Sequence, residues 1–359
     1  MLQHVFDISL LNLCMMELGI STFGEVHPDG VAGKAVNANK RVQELLEEVK
    51  LADEIGLDLF AFGEHHRPDF VISAPEIFMA AAAAVTKNIK LSSSVTVLSS
   101  ADPVRTFQNF ATVDLISNGR AEMIAGRGSF IESYPLFGYD LDDYDELFTE
   151  KLEMFLQINK QEVISWKGKF RAPIQNQGIY PRPIQESIPV WLGVGGTPAS
   201  AVRAGKLNLP LIIAILGSSP AQFVPFVELY REAAAKAGHD VSKLQLAISS
   251  QFYMAETTQQ AADEFYPSYE ALMNRVGKDR GWSPMSKPQF DYLRNDGPLI
   301  VGDAQLAIDK IMAQYELFGN TRFVAQLVTG HTPHSNILKA IELYGTKVAP
   351  VVRKETASK

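Results

Sequence analysis

A closed (β/α)8 TIM barrel is the fold this sequence predicts, and three observations carry it. From Glu17 onward, short β-like apolar runs alternate with longer amphipathic helical stretches. The strand-like runs number eight, and no composition break divides the 359 residues into halves. A doubly wound sheet also alternates strand and helix, but eight strands over this length favour closure into one barrel. The strands are expected at residues 18–23, 57–62, 89–98, 121–125, 189–194, 209–216, 244–253 and 322–328, and helices at 40–55, 75–86, 103–116, 220–237 and 303–318. Two connections exceed what a helix requires, 126–188 after the fourth strand and 255–301 after the seventh. Both are expected to overhang the active face as extended loops. The second carries Gly281, Trp282, Pro284, Pro288, Gly297 and Pro298, a composition suited to an irregular lid more than to a packed helix. The expected organisation is an N-terminal extension over 1–15, one barrel domain over 16–350, and a C-terminal tail over 351–359.

With 46% hydrophobic residues the chain can bury a large core, and its formal charge of -8 argues against a nucleic-acid partner, which would call for a basic face. The one cysteine, Cys14, excludes an internal disulfide and a cysteine-based metal cluster and suits a reducing compartment, so a cytoplasmic location is expected. Residues 1–15 are apolar but lack a basic start and a small-residue cleavage site, and are too short to span a bilayer. They are read as an extension, with Met16 as an alternative start; no membrane partner is expected.

Glu64-His65-His66 closes the second apolar run, where a barrel places its catalytic groups. Successive side chains on a strand face opposite ways, so only one imidazole can look into a pocket while the strand stays regular. A hydrogen-bonded structural pair is the bland alternative. Zinc is a weaker one, because neighbouring residues chelate awkwardly and no HExxH pattern accompanies them. Gly126-Arg127-Gly128-Ser129 follows the fourth strand, where the guanidinium fork suits a phosphate and the glycines admit a ligand to the backbone; a surface turn with a solvated arginine is the competing view. In Gly193-Val194-Gly195-Gly196-Thr197-Pro198 a strand ends in a glycine turn, and a helix starts with Pro198 at its first position. Such backbone amides can cradle a phosphate. Val301-Gly302-Asp303 competes for that role but ranks lower, since Asp303 reads as an N-cap whose carboxylate would oppose an anion. The small residues Ser92-Ser93-Ser94 before Val95 would let a flat ring lie against the barrel mouth, or are simply a β-prone core strand. His331 and His334, flanking Pro333, read as loop or capping residues.

Together these segments resemble the bacterial luciferase-like flavin monooxygenase family from about Glu17 to Pro350. The carriers are Phe62-Gly63-Glu64-His65-His66, Ser94-Val95-Thr96-Val97-Leu98 with Asp102-Pro103-Val104-Arg105, and Asp114-Leu115-Ile116-Ser117-Asn118-Gly119-Arg120. Gly126-Arg127-Gly128, Phe137-Gly138, Val190-Trp191-Leu192-Gly193 with Gly195-Gly196-Thr197-Pro198, and the stretch Gly330 to His334 with Ile341-Glu342-Leu343 complete the set. The resemblance implies a TIM barrel that binds reduced FMN, reacts it with O2 and passes one oxygen atom to a small organic substrate. It implies His65 as the catalytic histidine, with Glu64 or His66 orienting it. It also implies Arg127, Gly128, Val194, Gly195, Gly196 and Thr197 around the phosphate, and a cis Ser94–Val95 bond at the flavin face. No metal is expected. With no G-x-G-x-x-G after a first strand, reduced FMN would come from a separate flavin reductase, and the resemblance implies a homodimer. Two positions depart from luciferase proper, which has a cysteine at Gly126 and a second phosphate-binding arginine at Asp145, so light emission is not expected. The rivals are an F420-dependent hydride-transfer enzyme, a flavin-binding protein without turnover, and a metal-dependent barrel hydrolase.

Overall fold

The computed structural model describes residues 15–26, 38–128, 130–330 and 332–357, so Cys14, Ser129, His331 and nearly all of the N-terminal extension lie outside the described residues. Twelve strands lie among the described residues: β1 (Glu17–Thr22), β2 (Leu59–Phe62), β3 (Lys90–Ser93), β4 (Thr96–Val97), β5 (Ala121–Gly126), β6 (Val163–Trp166), β7 (Ile174–Gly178), β8 (Val190–Val194), β9 (Leu211–Ile215), β10 (Leu246–Met254), β11 (Ile300–Gly302) and β12 (Arg322–Leu327). The parallel order β1-β2-β3-β5-β8-β9-β10-β12 returns to β1, with Glu17 opposite Arg322 and Leu246 opposite Leu211, and so closes the expected eight-stranded barrel.

The strand alternation separates two cores. Leu59 and Ala61 of β2 point into the barrel with Ile124, Trp191, Ile212, Ala247 and Val324, whereas Phe60 and Phe62 join the larger cluster between sheet and helices. Along β12 the same period gives three inward levels: Arg322 at the bottom, Val324 in the packed layer, and Gln326 at the cavity of the mouth. The bottom is closed by charge. Arg322 donates to both carboxylate oxygens of Glu122 at 2.6 and 3.1 Å, reaches Glu17 Oε2 at 2.7 Å through Nε, and lies 4.2 Å over the Trp191 ring.

Four departures from the sequence reading have local causes. The third strand breaks between Ser93 and Thr96, where the Ser94–Val95 bond is cis, and resumes as β4 against β5. The segment of β11, which reads as a turn, adds outside the closed barrel onto β10, pairing Ile300 with Phe252. The connection after β5 contains the helices Ser133–Phe137 and Tyr144–Lys160 and the antiparallel hairpin β6–β7. The tip of that hairpin runs back along the helix, where the Lys169 and Phe170 amides bond Glu150 and the Lys169 ammonium pairs with Asp143 and Glu146.

The fourth departure is the lid, which is largely helical rather than irregular, with helices Thr258–Arg280 and Lys287–Asn295. Its first helix has a buried face of Ala261, Ala262, Phe265 and Tyr269, with Phe265 stacked 5.5 Å from Tyr253 and 5.6 Å from Tyr269. Packing of that face outweighs the weak propensity at Pro267. The glycine and proline residues mark the ends of the helices: Gly281 caps the first in the left-handed region at φ 69°, and Pro288 sits in the first turn of the second. Arg275 on the lid pairs with Asp69 at 2.7 Å, and Ser268 with Thr332 at 3.1 Å, fastening the helix to the rim of the mouth. At the C-terminal end the helix Ala349–Ala357 buries Val352, and Thr356 accepts a bond from the Met16 amide.

Candidate active site

The strand ends at the barrel's C-terminal mouth enclose a cavity of about 460 Å³, within the range of small-molecule sites. Glu64, His65, Ser94, Val95, Arg127, Gly128, Val194, Gly195, Gly196 and Thr197 all line it; of the residues singled out in the sequence for catalysis or cofactor binding, only His66 does not.

His65 is held in an aromatic clamp. Its ring centroid lies 4.6 Å from Phe23, 4.5 Å from Phe70 and 4.7 Å from Phe130, the last edge-on, and its amide donates to the Ile72 carbonyl. His66, in the loop after β2, turns away from the cavity, with Nε2 2.9 Å from Glu64 Oε1 and its ring edge-on to Phe137. The other Glu64 oxygen accepts from the Val97 amide at 2.8 Å. Glu64 and His66 thus bond each other and the Val97 amide rather than the His65 ring, which corrects the expectation that one of them orients it. The carboxylate beside His65 is Glu132, whose Oε1 lies 3.6 Å from Nδ1 and 3.4 Å from the His66 amide. Burial pushes the Glu132 carboxyl up, but bonds from His65 and the backbone outweigh it and leave the pKa below the ordinary range, so the group is an anion at neutral pH. A tautomer with hydrogen on Nδ1 leaves Nε2 for a ligand. Glu132→Gln is expected to cut turnover about tenfold while KM and the unfolding temperature change little, with Glu132→Asp recovering part of the loss. Equal turnover for wild type and the Glu132→Gln variant in steady-state kinetics would remove Glu132 from the site.

Val95 forms the floor of the cavity. A Cβ built on Gly126 would stand 2.5 Å from Val95 Cγ2, and one built on Gly193 would stand 2.9 Å from Val95 Cγ1, so the two glycines are the seat of that side chain. A cysteine at position 126 does not fit this seat. Gly126→Ala is expected to displace Val95, lower stability by about 1–3 kcal/mol and weaken cofactor binding, as calorimetry and ligand titration would read.

At the opposite end, Cβ atoms built on Gly195 and Gly196 meet nothing within 4 Å among the described residues, so these backbones face open space just before the helix Pro198–Leu207. Arg127 stands nearby, its guanidinium 4.9 Å over Tyr144 and its Nη1 2.5 Å from Asp145 Oδ1. The competing turn is excluded by its own bonds: Asp303 accepts from the Leu306 amide at 3.0 Å as an N-cap. That bond, with those from Thr258 and Gln305, holds its pKa low against burial. His334 lies away from the mouth, bonded to Glu47 at 2.8 Å and beside Glu48.

The sequence reading missed Glu132 together with Tyr144, Ser218, Ser249 and Gln326 of the lining. Leu216-Gly217-Ser218-Ser219-Pro220 carries a signal for one of them, because it repeats the small-residue turn before a helix-starting proline seen at Gly195-Gly196-Thr197-Pro198. Among the described residues no group of three or more His, Cys, Asp or Glu side chains is placed to hold a metal ion, and no helix is long and apolar enough to cross a membrane.

A parallel eight-stranded barrel with a histidine and two glycines facing one cavity at its C-terminal mouth has the layout in which TIM-barrel enzymes place their active sites. Residues 16–322 match the model of the luciferase-like monooxygenase family, and the chain belongs to that family. Limonene 1,2-monooxygenase of Rhodococcus erythropolis is 25% identical over 88% of this chain and 82% of its own length. The alkanal monooxygenase alpha chain of Aliivibrio fischeri is 22% identical over 84% and 90%. Among solved structures, the monooxygenase RslO1 of Streptomyces bottropensis superposes with a TM-score of 0.82 at 24% identity, covering 94% of this chain and 99% of that one. The oxygenating constituent of 3,6-diketocamphane monooxygenase of Pseudomonas putida, solved with FMN, gives 0.75 at 22% over 94% and 98%. The F420-dependent tetrahydromethanopterin reductase of Methanopyrus kandleri gives 0.72 at 21% over 94% and 99%. At these identities the structures speak for the fold.

Proposed function

We propose that the protein is a flavin-dependent monooxygenase that uses reduced FMN and O2 to oxygenate a small organic substrate. The observation that carries this is the division of one cavity into a phosphate end at Gly195, Gly196 and Arg127, a flat floor at Ser94–Val95, and a proton-bearing end at His65. The open space in front of both glycines is what close approach of a phosphate to backbone amides needs. When bound, the flavin supplies the electron transfer to oxygen. The protein's part is to bind, orient and protect. Val95 would support the flavin ring, and Arg127, Gly128, Val194, Gly195, Gly196 and Thr197 would hold its phosphate. The Phe23, Phe70 and Phe130 rings exclude water around His65, which gives or accepts a proton through Nε2 while Glu132 fixes its ring.

The fold neighbour that uses F420 sustains a second reading, hydride transfer with deazaflavin. Parallel titrations with FMN and F420, followed by oxygen consumption and product analysis with NADH and a flavin reductase, separate the two. FMN binding with reductase-dependent oxygenation supports the proposal. F420 binding alone supports its rival, and FMN binding without oxygen consumption above that of free reduced flavin supports a binding protein. A separate reductase, a homodimer, a cytoplasmic location and a single domain over 16–350 belong to the same proposal. Reductase omission and light scattering test the first two.

A further inference from the structure

The cation of the phosphate end already has an anion of its own. Arg127 is mostly buried, with 16% of its side chain exposed, and Nη1 sits 2.5 Å from Oδ1 of Asp145, whose side chain is 72% exposed. Asp145 lies in the first turn of the helix Tyr144–Lys160, next to Tyr144, which lines the cavity and carries the Arg127 guanidinium on its ring. A second arginine, Arg203, stands on the other side of that turn, with Nη2 3.0 Å from Thr149 Oγ1 and its guanidinium 5.3 Å over Phe148. Burial first, and then the charge of Arg127, lower the pKa of Arg203, as expected of two guanidinium groups close together. A carboxylate on an exposed, rotatable side chain thus lies against the arginine that faces the glycine cradle, while the arginine itself has little freedom to move.

We propose that Asp145 is a tethered anion that competes with the flavin phosphate for Arg127, so that FMN binds as an exchangeable co-substrate instead of a permanently held group. The inference rests on the FMN reading above and adds the residue that sets the exchange. A phosphate arriving at Gly195 and Gly196 finds Arg127 neutralised. It must either displace the Asp145 carboxylate into solvent, which its exposure allows, or sit beside a like charge. Either route weakens binding, and Arg203 limits the loss by keeping the neighbourhood positive.

The test is the affinity of the full-length protein for FMN and for riboflavin, which lacks the phosphate, read by quenching of flavin fluorescence at low salt. Asp145→Asn is expected to tighten FMN about threefold, whichever of the two costs operates, and to leave riboflavin unchanged. Arg127→Gln is expected to weaken FMN towards the riboflavin value and to erase the effect of Asp145→Asn. An unchanged or weaker FMN affinity in Asp145→Asn, with FMN still lost in Arg127→Gln, overturns the competition and spares the FMN reading. FMN and riboflavin binding equally in wild type, with Arg127→Gln altering neither, overturns both.

Discussion

Replacement of His65 by alanine is expected to leave flavin binding intact and to lower the product formed per NADH consumed by about two orders of magnitude, the usual contribution of a positioned acid or base. Oxygen consumption continues, so the loss shows as uncoupling. The argument is geometric. His65 is the imidazole that lines the cavity; three phenyl rings fix its plane, and Glu132 lies 3.6 Å from its inner nitrogen. Because the clamp encloses the ring, alanine leaves a void between Phe23, Phe70 and Phe130, and His65→Gln serves as the volume-matched companion. Normal coupling in both variants, measured with a flavin reductase as electron donor, would sink the assignment. His66→Ala, by contrast, removes a bond to Glu64 outside the cavity and should lower stability more than coupling.

Arg322→Met is expected to cost about 3–5 kcal/mol of stability, because it strands Glu122 at the barrel bottom with only 4% of its surface exposed. Thermal unfolding should fall by roughly 5–10 °C. The pH dependence follows from Glu17. Burial raises its carboxyl pKa, but Arg322 and Lys90 outweigh burial and leave it below the ordinary range. A carboxyl depressed in the folded state contributes stability above its unfolded pKa and loses it as pH falls through the folded value. The gap between wild type and Arg322→Met should therefore be widest near neutrality and shrink in acid. A gap that stays constant between pH 7 and pH 3 would contradict the ion network as its source.

The barrel is legible in the sequence because its strands are buried on both faces and read as unbroken apolar runs, as in residues 59–62 and 211–215. The glycine cradle is legible because a turn before a helix-starting proline has a local signature. Glu132 is not, since its meaning depends on a contact with a residue 67 positions away, and no local pattern distinguishes it from any surface glutamate. Gln326 is hidden in the same way, as one polar residue in the strand Arg322–Leu327 whose inward direction is fixed only by register with β1 and β10. The lid misleads because glycine and proline here mark helix ends, and the ring on which Phe265 of the helix stacks, Tyr253, comes from β10.

The packed layer of Leu59, Ala61, Ile124, Trp191, Ile212, Ala247 and Val324 separates the mouth from the charged cavity beneath it. Its consequence is one of traffic. The layer bars passage through the barrel, so on the proposed reading flavin and substrate would both reach the site from the mouth, the same side from which product would leave.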